Sequence, residues 1–564
     1  MTTDQEAAWP ERPWILAAIG ALGALIFSIL IDHDYETPLS IAERAGATFT
    51  AVTTAALLFT LERRRWSWSL GFALVAGVVM ALVGWSTASY NDGRSIFDYP
   101  YFSGLFAVLV AAPFFQAARD EGRLVRDFAP LHHYGWTDAV IGFSALLFTG
   151  LTFALLWMLA ALFDSIGIDV LRDLLENEQA AWAIAGFAFG GAVGMLRERD
   201  RLFGGLLKLV MVVLAVLAPL MAITLALFLV ALPITGFARL WESGLPETPL
   251  LLASAAWGLL LANAVFGTGE GDEPARPSLK WSAFTLTLVI LPLALLAAVS
   301  MGLRIEQYGW TPDRLWGAIV IALALAYGFA AAWAAWKGRG DFAPFRRAQV
   351  SLGFVVVGLA LFLALPILDF GAISTRSQLA RLESGEVTPA RFDYRAMAFD
   401  FGPEGRAALE RLKSDDRALV AELATKALQS DNRWELEQEI EVAAGDAQLD
   451  ETLILVPENL ELSRDERRAV ARERFCSERP CIVTRLEDGG LLIVGRRWSR
   501  GGLVREVVTP EQLAETDGPV RPSSVPVPEP KLSDEEMRSA TVEVREEVVR
   551  RVYVNGEPVG ATFE

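Results

Sequence analysis

Up to Leu368 the chain alternates long apolar runs with short polar stretches. Each run is close to the ~20 residues that cross a bilayer as a helix. The pattern predicts eleven spans: Trp14–Ile31, Ala45–Leu61, Ser67–Ser89, Tyr101–Ala118, Ala139–Leu162, Ala181–Leu196, Leu209–Leu232, Pro249–Phe266, Trp281–Met301, Leu315–Trp336 and Val350–Leu368. The run Leu202–Thr235 is long enough for two crossings, with Pro219 as a break. One tilted or kinked helix is expected instead, because such helices tolerate proline and a second crossing would reverse the polarity of every later loop. The first run, Trp14–Ile31, exceeds a signal-peptide core and no small-x-small cleavage pattern follows it. It is expected to stay as the first span.

Beyond Asp369 the pattern changes to short amphipathic and alternating segments. Helices are expected at Ser374–Leu382, from Thr388-Pro389, from Gly402-Pro403 to Lys413, and at Asp416–Gln429. Strands are expected at Leu453–Val456, Ile482–Leu486, Leu491–Arg496 and Leu503–Val508. Five prolines between Gly518 and Pro530 read as an extended linker, and Asn555-Gly556 closes a C-terminal hairpin. The expected organisation is a transmembrane bundle over 1–368 and a helical segment over 369–450. A β-rich segment over 451–516, a Pro-rich linker over 517–534 and a hairpin segment over 535–564 complete it.

Charge adds orientation. Basic loops remain on the cytoplasmic side. Arg12, Arg63–Arg65, Arg119, Arg123, Arg126, Arg197, Arg199, Arg201, Lys208, Arg276, Lys280, Lys337, Arg339, Arg346 and Arg347 put 17 basic residues on one side. The other side has six: Arg44, Arg94, Arg172, Arg239, Arg304 and Arg314. The fold class is therefore mostly α: a polytopic transmembrane helix bundle of about eleven spans, N-in/C-out, followed by a soluble α+β extracytoplasmic domain. The net charge of −18 divides into −6 before the boundary and −12 after it, which argues against nucleic acid as a partner.

Candidate chemistry is sparse. The spans hold Gln116 and Asn263 but no carboxylate or histidine of the kind ion-coupled transporters keep within the membrane. Gly186, Gly190 and Gly194 form a small-residue face suited to close helix packing. The first outer loop carries Asp32, His33, Asp34 and Glu36, which offer oxygen and nitrogen donors for a divalent metal or an acidic residue for a lipid-dependent transferase. A short acidic loop is also what topology alone produces. Phe163–Glu178 is amphipathic with an acidic polar face, where a helix gripping anionic lipid would be basic. His132 and His133 fall in a basic inner loop, where solvation is the simpler expectation. No catalytic set and no cofactor are expected.

The densest polar motif is RIEQYGWTPDR, Arg304–Arg314, between the ninth and tenth spans. Thr311-Pro312 reads as a helix start, Gly309 as the turn before it, and Tyr308, Trp310 and Trp316 as interface aromatics. This leaves Arg304, Glu306, Gln307 and Arg314. Two arginines flanking one turn can clamp a carboxylate or phosphate, or pair with Glu306 and Asp313. With ISTRSQLARLESG (Ile373–Gly385), this motif resembles the bacterial multi-pass membrane family catalogued as domain of unknown function 4153, over the membrane part and the tail to about Leu412. The resemblance implies a bacterial inner-membrane protein and carries no catalytic residue with it.

Both cysteines, Cys476 and Cys481, lie in the tail, where a disulfide is expected in an oxidising periplasm. Two sulfurs and no tail histidine fall short of a zinc site, and four intervening residues do not match a thioredoxin-like motif. Arg496, Arg497, Trp498 and Arg500 beside Gly501-Gly502 offer a basic tip for an anionic lipid headgroup, an envelope polymer or solvent. Three functions follow as alternatives. One is a non-enzymatic envelope protein that senses or scaffolds through its outer domain, with the lipid bilayer and envelope proteins as partners. Another is a transporter or lipid flippase with an anion site near Arg304 and Arg314. The third is a lipid-dependent transferase using Asp32 and Asp34.

Overall fold

The computed structural model describes residues 9–510 and 550–563, apart from the segments 33–38, 91–98, 199, 237–245, 268–275, 339–340, 458, 473–475, 477–479, 487–488, 497–502 and 555–556. The chain forms two compact units, Met1–Ser374 and Thr375–Glu564. The Pro-rich linker, Asn555-Gly556 and residues 497–500 of the basic tip fall outside the described residues.

The first unit is helical. Its elements are α1 (Arg12–Ile31), α2 (Ile41–Thr60), α3 (Trp66–Tyr90), α4 (Tyr99–Glu121), α5 (Phe128–Asp164), the short α6 (Val170–Glu176), α7 (Glu178–Glu198), α8 (Asp200–Thr235), α9 (Glu247–Phe266), α10 (Pro277–Tyr308), α11 (Pro312–Gly338) and α12 (Ala343–Ala364). Among the described residues, ten of these are long and apolar enough to cross a membrane, so the protein is a multi-pass membrane protein. The two exceptions are α6, only seven residues long, and α2, whose 20 residues include Glu43, Arg44 and five threonines. α2 is still an integral member of the bundle. Thr48, Thr50 and Thr60 return their hydroxyls to the carbonyls of Arg44, Gly46 and Ala56 at 2.8, 2.9 and 2.6 Å, which satisfies these three hydroxyls within the helix. Thr53 and Thr54 press against Gly77 of α3 and Gly23 of α1, where a side chain would not fit. Ser40 and Glu43 close its N-terminus with a capping box.

α8 runs unbroken through Pro219 for 36 residues, as one helix. Proline also sits at the first turn of α1, α10 and α12, where its missing N–H costs nothing. Gly186, Gly190 and Gly194 of α7 meet the backbone of α1 at Gly20, Leu16 and Pro13, and a Cβ on any of them would collide with main-chain atoms. Apolar side chains of α8, α9, α10 and α11 with Phe342 and Phe345 form the largest core. Separate cores join α1, α2, α5 and α7, and then α2 and α3 with Ala364 of α12.

From the boundary, α13 (Phe370–Ser384) leads into α14 (Tyr394–Phe399), α15 (Gly402–Leu412), α16 (Ala418–Gln429) and α17 (Arg433–Thr452). In the second unit Tyr394, Met397, Phe399, Leu409, Leu423 and Leu436 are buried together. β1 (Leu453–Val456), α18 (Arg464–Arg472), β2 (Cys481–Arg485), β3 (Leu491–Arg496) and β4 (Leu503–Val508) follow. The sheet order is β1-β2-β3-β4, parallel between β1 and β2 and antiparallel thereafter. β5 (Arg550–Val554) and β6 (Glu557–Phe563) pair antiparallel as a separate ribbon.

Candidate functional site

The charged residues of the first unit gather at the two ends of the bundle. The richer gathering joins the start of α1, the ends of α2, α4 and α7, and the first turns of α3 and α5. It exists because α2 ends inside the protein. A helix C-terminus leaves carbonyls without intrahelical donors, and its partial negative charge favours cations. Arg197 donates to the Leu58 carbonyl at 3.0 Å, Arg119 donates to the Thr60 carbonyl, and Ser69 donates to the same oxygen at 2.6 Å. Arginines from α4 and α7 thus cap a buried helix end.

Those arginines need counter-charge in turn. Glu62 accepts from Arg197 at 2.6 Å through one oxygen and from Arg12 through the other. Arg12 also donates to the Arg197 carbonyl at 3.0 Å, while Glu198 accepts the Trp9 backbone N–H at 2.8 Å. Arg119, only 1 % exposed, forks onto Asp120 at 2.6 and 3.0 Å, and Tyr134 donates to the same carboxylate. Arg65 donates to the Arg119 carbonyl, and Gln116 donates to Asp138. Cations and carboxylates alternate through this cluster, so it is built to hold helices together rather than to attract a charged ligand.

A polar seam lies at the same end, between α5, α9 and α12. Asn263 and Gln349 exchange amide hydrogen bonds at 2.9 and 3.0 Å. His132 Nε2 lies 3.1 Å from the Asn263 carbonyl, and Arg346 donates to the Phe266 carbonyl at 3.3 Å. The expectation of a solvated His132 is corrected here: it contacts the last turn of α9, again a helix end that needs donors.

At the opposite end the RIEQYGWTPDR motif divides between two tasks. Arg304, half exposed on α10, donates at 2.7 Å to Glu247 at the start of α9, whose side chain is only 4 % exposed. Thr248 beside it donates to Ser300 at 3.0 Å. Arg314 turns back to cap α10, donating to the carbonyls of Tyr308 at 3.1 Å and Gly309 at 2.6 Å, with its guanidinium 5.3 Å from the Tyr308 ring centre. Gly309 takes φ +72, and Thr311 Oγ1 accepts the Arg314 N–H at 3.4 Å, closing the start of α11. Glu306 and Gln307 lie exposed on the last turn of α10. The structure therefore places the two arginines on different partners, and Glu247 enters as a residue that the sequence pattern did not single out.

In the first outer loop, Asp32 accepts a hydrogen bond from Gln179, while His33, Asp34 and Glu36 fall outside the described residues. Among the described residues no three His, Cys, Asp or Glu side chains gather in a metal-holding group. In the second unit Cys476 and Cys481 form a disulfide with Cα atoms 5.2 Å apart, fully buried beside Val483, Leu491 and Ile493. Between α10, α11 and α12 a small pocket is lined by Phe284, Ala331, Phe342 and Phe345, with Thr287 and Asp341 as its polar members. Such a lining suits packing, not recognition of a charged cargo.

No curated protein and no solved structure matches the chain. The family described as domain of unknown function (DUF4153) matches residues 48–412, from the middle of α2 through every later membrane helix to the end of α15. With well over half its length inside that match, the chain belongs to the DUF4153 family.

Proposed function

We propose that this is a non-enzymatic protein of a bacterial inner membrane, whose helix bundle anchors an extracytoplasmic α+β unit that senses or scaffolds in the cell envelope. The observation that carries the reading is the buried Cys476–Cys481 disulfide, since such bonds persist in oxidising compartments. The excess of basic residues in loops on the side opposite the C-terminal unit supports the same orientation. The charged side chains at the bundle ends occupy one another, which favours an anchor over a cargo path. The transporter reading would require Arg304 to leave Glu247, and the transferase reading would require Asp34 to act beside Asp32.

Two experiments test this. Single cysteines are introduced at Lys337, Arg172 and Glu435 and exposed to a membrane-impermeant maleimide in cells with a permeabilised outer membrane. Labelling is expected at 172 and 435 in intact spheroplasts and at 337 only after lysis; the reverse pattern overturns the orientation. For the function itself, Arg304→Gln with Glu247→Gln, and Asp34→Asn, are expected to complement a deletion strain. Failure of a folded, normally abundant variant would move the reading to transport or to transfer respectively.

A further inference from the structure

The corner between α5 and α6 leaves more large apolar surface uncovered than a polar loop should. α6 has an apolar arc made of Val170, Leu171, Leu174 and Leu175 and a polar arc made of Arg172, Asp173 and Glu176. One edge of the apolar arc is used: Leu175 is buried and Leu171 is half-buried. The other edge is not, with Val170 at 74 % exposure and Leu174 at 45 %. Ile166 and Ile168 in the preceding turn are exposed at 69 % and 45 %, and Leu162 at the end of α5 at 63 %. The polar arc is settled within the segment, since Arg172 donates to Glu176 at 2.8 Å and to Asp164 at 3.5 Å.

We infer that the α5–α6 corner, residues 162–174, is an in-plane foot seated in the headgroup–acyl boundary of a zwitterionic lipid surface. Three observations select this occupant. First, the uncovered patch continues the exposed apolar stripe of α5, formed by Phe148, Leu151, Leu155 and Met158, which in a membrane helix faces lipid. Second, the length of α5 places the patch at the right depth. No charge interrupts α5 between Asp138 and Asp164. Those 25 residues extend about 37 Å at ~1.5 Å each, against a hydrocarbon core of roughly 30 Å. About five residues of α5 and the turn after it therefore fall in the interfacial layer. Third, the carboxylates Asp164, Asp169, Asp173 and Glu176 rim the patch with only Arg172 among them, so an anionic surface would be repelled while a neutral one is admitted. The inference holds for either orientation of the bundle and so stands apart from the proposed function.

The test uses the full chain in lipid nanodiscs, with its native disulfide intact and one environment-sensitive label at Val170→Cys, Leu174→Cys or Asp173→Cys. In phosphatidylcholine discs, shallow nitroxide-labelled lipids are expected to quench 170 and 174 at least threefold more than 173, and aqueous iodide is expected to show the opposite order. In discs rich in phosphatidylglycerol the lipid quenching at 170 should fall. A label at 170 quenched by iodide as strongly as the one at 173 would overturn the foot. A blue-shifted label at 170 that neither quencher reaches would overturn it in favour of a protein cover, the C-terminal unit or a second copy. Lipid quenching that rises with anionic lipid would overturn the choice of a zwitterionic surface. As a further control, Ile166→Asp in the Leu174→Cys background should reduce lipid quenching at 174 while leaving the bundle folded.

Discussion

The two ends of the helix bundle solve the same problem with different amounts of charge. At one end, the C-terminus of α2 is enclosed by other helices, and its carbonyls are met by Arg197, Arg119 and Ser69. At the other, the C-terminus of α10 lies at the rim, and Arg314 from the next helix donates to its last carbonyls. The enclosed end also needs Glu62 to balance its arginines, because a buried guanidinium without a partner is costly. At the rim end Arg304 pairs across helices with Glu247 and stays half exposed. Arginine is thus used at both ends as a donor to backbone as much as an ion. The difference in burial, and not in residue type, sets how much each contact is worth.

The largest effect is expected at the enclosed end. Glu62→Ala strands Arg12 and Arg197 together and should cost about 3–5 kcal/mol, read as a fall in thermal stability of the detergent-solubilised protein. A loss below about 1 kcal/mol would mean that water already reaches the cluster, and the contrast between the ends would collapse. Gly190→Leu asks whether the α1–α7 interface beside that cluster depends on packing as well. Its new side chain would drive into the Leu16 carbonyl, and a loss of about 1–3 kcal/mol is expected. At the rim, Arg304→Ala should cost about 1–3 kcal/mol by leaving Glu247 buried and unpaired. Arg304→Ala with Glu247→Ala should recover part of that, a signature that a mere turn defect would not give. Arg314→Ala should lose only ~1 kcal/mol, the value of a partly exposed cap.

The same contrast explains what the sequence could and could not reveal. Apolar runs marked the helices well, because length and hydropathy are local properties of the chain. Even α2, the least apolar, stood out as a run between charged ends. The continuous α8 followed from the polarity of later loops. The enclosed cluster was hidden because Arg12, Arg119 and Arg197 sit at helix ends, where a basic residue reads as a loop charge. The available signal was a carboxylate directly adjacent to an arginine in each basic group: Glu62 before Arg63, Asp120 after Arg119, Glu198 after Arg197. Glu247 was hidden differently. It precedes Pro249, where the apolar run begins, so the helix start was set two residues too late. α17 and α18 were missed for lack of a long apolar face, although Asn432 caps the first and accepts the Trp434 N–H at 3.0 Å. In both, the helical pattern is carried by charged residues whose partners lie elsewhere in the chain.

An exposed pair in the C-terminal unit sets the lower bound of this scale. Arg417 forks onto Asp415 at 2.8 and 2.8 Å, its own backbone N–H donates to the same carboxylate at 2.9 Å, and its remaining arm reaches the Leu382 carbonyl at 3.2 Å. The guanidinium and the backbone N–H hold the Asp415 carboxyl down to about 2. A folded-state value below that of the unfolded chain stabilises the fold at pH above the ordinary aspartate value, and that contribution is lost as pH falls through about 2. Solvent screens the pair, so the stabilisation should lie well under the full shift. Asp415→Asn is therefore expected to lower stability slightly above pH 4, by less than about 1 kcal/mol, and to converge with the native protein as pH approaches 2. Denaturation midpoints of the two proteins across that range decide it. A difference that persists unchanged to pH 2 would mean that the geometry of the turn, and not its charge, holds Arg417 against Leu382. In that case the guanidinium acts here chiefly as it does at the end of α10, as a donor to backbone carbonyls.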